Sequence, residues 1–80
     1  MEKEEIISKI NSVLAEEFEV DQRSFLPDAL LMQTLDLDSL DLVDMVVLIE
    51  QNFGIIVKGS DFAGIKTFRD FYDFLNSRLN

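Results

Sequence analysis

Ile7, Ile10, Leu14 and Phe18 recur at i, i+3, i+7 and i+11, with Ile6 and Val13 widening the stripe, and this period predicts a first helix over residues 2–18. The acidic residues of its first turn suit the positive end of a helix dipole. A second stripe, Leu42, Met45, Val46, Ile49 and Phe53, falls within roughly 100° of helical arc and predicts a second helix, opened by Asp38 as N-cap and closed by Gly54 at the C′ position. Leu40, Val43 and Val47 make a narrower apolar line roughly opposite that stripe, so this helix carries two apolar faces. The last stripe is Phe68, Phe71, Tyr72, Leu75 and Leu79, with Thr67 and Asp70 spaced as a capping box in front of it.

Between the first two helices lies a long connection, residues 19–37, broken by Pro27 and studded with Phe25, Leu26, Leu30, Leu31, Met32 and Leu35. Connections of this length are uncommon in small domains unless they pack on the core or serve function, so these apolar residues are expected to pin it across the bundle, with room for a helical turn at residues 28–33. Ile55-Ile56-Val57 is too short and unpartnered for a sheet and reads as a buried connection. Gly59 and Gly64 bracket a short third helix at residues 60–63. The fold predicted is all-α: one domain over residues 1–80, a small four-helix bundle of three main helices and a short third one, with a long loop between helices I and II.

Eighty residues bury only about 60% of their unfolded surface, which leaves room for a bundle but not for an elaborate active site. The chain has no cysteine, hence no disulfide and no thiolate metal site. Its N-terminus is charged and its longest apolar run, residues 45–49, is too short for a signal segment or a membrane span, so a cytoplasmic protein without membrane insertion is expected. Seven basic against sixteen acidic residues give a net charge of −9, which disfavours nucleic acid and favours basic protein partners. The charge is regional. From Ser24 to Val57 there is no Lys or Arg, while Asp28, Asp36, Asp38, Asp41, Asp44 and Glu50 are all acidic.

Ser39 sits at the centre of that region, at the first position of the second helix, where its hydroxyl points outward from a fixed corner and an enzyme could modify it. It is not an activated nucleophile, because the chain has no histidine or cysteine and no lysine close by in sequence to act as base. A calcium loop starting at Asp36 fails: Leu40 stands at its fifth position, Asp41 replaces the turn glycine and Val47 replaces the bidentate glutamate.

Asp38-Ser39-Leu40-Asp41, followed by Val43-Asp44-Met45-Val46 and closed by Glu50-Gln51-Asn52-Phe53-Gly54, resembles the acyl carrier protein family, discrete phosphopantetheine-binding carriers. The resemblance implies that Ser39 carries 4′-phosphopantetheine from coenzyme A, with Asp38 and Leu40 completing the attachment motif. It also makes the second helix the docking element for a phosphopantetheinyl transferase and for acyl-chain-processing enzymes with basic patches. Asp38, Leu40, Asp41, Val43, Asp44, Val47 and Glu50 are the candidate partner face, and Leu42, Met45, Val46, Ile49 and Phe53 the candidate acyl-chain pocket. No catalytic residue and no metal is expected, and a monomer is. The function implied is to tether acyl intermediates as thioesters and shuttle them between enzymes of fatty acid or related biosynthesis. The alternatives are a carrier for a specialised pathway (polyketide, aryl polyene, aminoacyl or D-alanyl) and an unmodified acidic adaptor. The chain departs from carriers of fatty acid synthesis in having Asp36 where they often have glycine, Gln51 and Asn52 where they tend to have glutamate, and an unusual Lys58-Gly59.

Overall fold

Ile6, Ile10 and Leu14, one turn apart, are completely buried, and they commit the first amphipathic segment to a helix, α1 (Lys3–Phe18), in a computed structural model that describes residues 2–80. The helix ends where Glu19 turns into the left-handed region at φ 55°, its N–H reaching back to Ala15 O. The loop that follows contains a 3₁₀ turn (Gln22–Ser24) and a short helix α2 (Leu31–Leu35), one turn later than the helical turn expected at residues 28–33. Next come α3 (Asp41–Phe53), a 3₁₀ segment (Gly59–Gly64) in place of a short α-helix, and α4 (Phe68–Leu79). The fold is all-α.

The loop is pinned in a different way from the one its composition suggests. Phe25, Leu31 and Leu35 are buried, and the Phe25 ring stacks on Phe68 with centroids 4.9 Å apart. Leu26 and Leu30, however, stay exposed. What holds this stretch is backbone: Pro27 O and Ala29 O accept from Arg69 N and Phe68 N at 2.9 and 3.1 Å, and Leu31 N donates to Lys66 O at 2.9 Å. The first two bonds satisfy N–H groups at the start of α4, and the third satisfies one at the start of α2, that a helix cannot satisfy itself. The loop thereby serves as the second half of the α4 cap, beside the box in which Thr67 Oγ1 accepts from Asp70 N and Asp70 Oδ2 accepts from Thr67 N, each at 3.2 Å.

The stretch after α3 also needs correction. Val57 is buried and Ile55 half-buried, but Ile56 faces solvent, so the segment alternates as extended chain does. It runs from the end of α3 to the 3₁₀ segment, which packs back against α3. Phe62 from that segment meets Phe71 at 5.9 Å, and Phe68, Phe71, Tyr72 and Leu75 of α4 complete the core against α1. Among the described residues Tyr72 is the one buried side chain with a hydroxyl, and it donates to Asn11 Oδ1 at 2.8 Å.

Candidate functional site

The turn around Ser39 is built by two aspartates that cap each other. Asp38 Oδ1 accepts from Leu40 N and Asp41 N at 2.9 and 3.0 Å, and Asp41 Oδ2 accepts from Asp38 N at 3.0 Å, a reciprocal box with aspartate where glutamate is commoner. Regular α-helix starts at Asp41, two residues later than expected, because the first turn is tight: Val43 N bonds Leu40 O at 3.2 Å. Ser39 therefore lies inside the capping turn and not at the first regular helical position. Its side chain is exposed, and among the described residues nothing hydrogen-bonds its hydroxyl.

Upstream, α2 closes in a Schellman motif, with Leu37 N donating to Met32 O and Asp36 N to Gln33 O. That motif puts Asp36 in the left-handed region at φ 54°, a conformation that favours glycine and that aspartate tolerates better than most. Asp36 thus keeps the backbone that a glycine would give.

An apolar cavity of about 350 Å³ opens beside Ser39, lined by Leu42, Val43, Val46, Val47 and Gly59. It differs from the pocket anticipated from the helical stripe. Leu42 and Val46 do line it, whereas Met45 and Ile49 are fully enclosed in the core and Phe53 lies away from it, with the Lys9 ammonium 5.2 Å from its ring centroid. Val43, Val47 and Gly59 were not anticipated as lining. A residue twenty positions from Ser39 reaches the site only because the chain doubles back along α3, and no local pattern announces that. A larger depression, about 580 Å³, runs along the outer face of α1 among Glu4, Glu5, Ser8 and Lys9 and is a shallow trough between exposed charged side chains, remote in character from the apolar cavity at Ser39.

Around this corner Leu40 is 77% exposed, Val43 63% and Val47 44%. Asp38, Asp44 and Glu50 are exposed, Asp41 is half-buried, and among the described residues none of the four forms an ion pair. The basic residues that do pair lie elsewhere: Arg69 with Asp28 at 2.8 Å and Arg78 with Asp61 at 3.4 Å tie down the loop and the 3₁₀ segment. No three or more Asp or Glu side chains of the described residues gather into a metal-holding group, and no helix there is long and apolar enough to cross a membrane.

A family profile described as the phosphopantetheine attachment site matches residues 8–75. An acyl carrier protein of Thermotoga maritima is 38% identical over 77 residues, covering 96% of this chain and 95% of its own. One from Lactobacillus acidophilus is 36% identical over 77 residues, 96% of each chain, and one from Thermosynechococcus vestitus is 30% identical over 79 residues, 99% of this chain and 98% of its own. With helical architecture, attachment profile and whole-length relatives in agreement, the chain belongs to the acyl carrier protein family, whose members are carriers that bear phosphopantetheine and are not enzymes.

Proposed function

We propose that Ser39 is the attachment residue and that the chain tethers acyl intermediates as thioesters, presenting them to separate enzymes in the cytoplasm. The observation that carries this reading is an exposed hydroxyl, free of hydrogen bonds, on a doubly capped turn at the mouth of an apolar cavity. The residues fit the group: nothing covers the hydroxyl, and the cavity beside it is apolar where an acyl chain would lie. When bound, phosphopantetheine supplies a terminal thiol on a long arm, the point at which acyl groups are joined.

Ser39 would give its oxygen to the pantetheine-side phosphorus of coenzyme A. The pyrophosphate linkage breaks, adenosine 3′,5′-bisphosphate leaves, and the hydroxyl proton passes to a base of the transferase. Such a base has to come from the partner, since this chain has no histidine or cysteine and the Asp38 and Asp41 carboxylates are engaged in the cap. The partner face would be Leu40, Val43 and Val47 rimmed by Asp38, Asp41, Asp44 and Glu50, matched by an apolar patch ringed with Lys or Arg. Fatty acid synthesis and the specialised pathways share this chemistry and differ in cargo. Incubation with coenzyme A and a phosphopantetheinyl transferase, followed by intact mass, separates a carrier from an unmodified acidic adaptor: the carrier gains one phosphopantetheine, the adaptor nothing. Mass spectrometry of the natively loaded form then identifies the cargo and with it the pathway.

A further inference from the structure

Five of the seven basic side chains meet a carboxylate or an aromatic ring. Lys3 pairs with Asp73, Arg23 with Asp21, Arg69 with Asp28 and Arg78 with Asp61, and Lys9 stands over the Phe53 ring; Lys66 sits at the α4 cap, its backbone N–H donating to Asp70 Oδ2. Lys58 is exposed, and among the described residues its ammonium meets no carboxylate and no ring. Its backbone is fixed all the same. Lys58 N donates to Asp61 Oδ2 at 2.8 Å, and the extended residue separates buried Val57 from Gly59, so its side chain leaves on the solvent side. Gly59 belongs to the wall of the cavity that Ser39 also lines, so the backbone of Lys58 adjoins that cavity from the side of the 3₁₀ segment.

A phosphodiester on Ser39 adds a negative charge to a corner that already holds Asp36, Asp38, Asp41 and Asp44. A helix N-terminus ordinarily eases such a charge through its free N–H groups. Here two of those groups, on Leu40 and Asp41, already serve the Asp38 carboxylate. Lys58, an exposed cation whose neighbour Gly59 shares the cavity wall with Ser39, offers a compensating charge.

Resting on attachment at Ser39, we propose that Lys58 is a positioning residue that pairs with the phosphodiester of the arm and lays the arm over the cavity, away from the acidic turn. The test is NMR on the apo protein and on the protein modified from coenzyme A, with Lys58→Gln and Lys58→Arg alongside and intact mass as the record of modification. The expected result is that the Lys58 side-chain ammonium resonance shifts on modification while those of Lys9 and Lys66 stay, that the ³¹P resonance of the arm moves in Lys58→Gln with a gain in arm mobility, and that Lys58→Arg retains the wild-type position. A modified wild type in which the Lys58 resonance does not move, and whose ³¹P signal matches that of Lys58→Gln, overturns the role of the lysine alone. A wild type that takes up no phosphopantetheine overturns the attachment reading as well.

Discussion

Asp36 holds φ 54° at the end of α2, so a side chain is being kept where glycine would carry no Cβ penalty. Relief of that penalty, partly offset by the freer unfolded chain, predicts that Asp36→Gly raises stability by up to about 1 kcal/mol in urea denaturation. Two residues on, Asp38 caps two backbone N–H groups, and Asp38→Ala is expected to cost about 1 kcal/mol, most of it recovered by Asp38→Asn. At the other cap, the backbone N–H groups of Thr67 and then Lys66 hold the Asp70 carboxyl below its ordinary value. Its contribution is therefore present above the unfolded-state value of about 4 and is lost as pH falls through the lower folded-state value, so Asp70→Asn flattens the acid limb of the stability profile. The capping residues were legible in the sequence because a cap is a local pattern of three or four residues. The left-handed backbone at Asp36 was not, because only the Schellman bonds to Gln33 and Met32 reveal it.

At the scale of elements, the three long helices followed from apolar period alone, since each has one stripe that must be buried. The same logic misjudged stretches without a period. Leu26, Leu30 and Ile56 were expected inside and are exposed: backbone bonds at Pro27, Ala29 and Leu31 hold the loop without burying Leu26 and Leu30, and the run at residues 55–57 turns its middle side chain outward. The cavity beside Ser39 shares only Leu42 and Val46 with the anticipated pocket: the helical stripe identifies what is buried in α3, whereas the cavity lies at the stripe's edge, where Gly59 returns. The cap also reshapes a charge experiment on the proposed partner face. Asp41 is part of the box, so reversing it to Lys would cost stability as well as charge, and Asp44 and Glu50 are the cleaner sites. Asp44→Lys with Glu50→Lys is expected to slow association with the transferase and flatten its salt dependence in stopped-flow measurements, with stability changed by no more than about 0.5 kcal/mol per site. Val47→Asp is expected to speed dissociation instead.

For the molecule as a whole, a folded body of 28 × 24 × 22 Å carries its apolar cavity of about 350 Å³ directly beside Ser39, where an acyl chain tethered there would meet it. A chain that enters it is bound only by the folded state and so raises the thermal midpoint of the acylated over the phosphopantetheinylated form; an equal midpoint across chain lengths would place the cargo in solvent. All of this depends on where the arm is attached. The most direct test is to treat wild type and Ser39→Ala with coenzyme A and a phosphopantetheinyl transferase, weigh both intact, and map the modified peptide. The account predicts one phosphopantetheine on the peptide containing Ser39 in wild type, none on Ser39→Ala, and the same helical circular dichroism for both. Modification that persists in Ser39→Ala, or that maps to another serine in wild type, would contradict it.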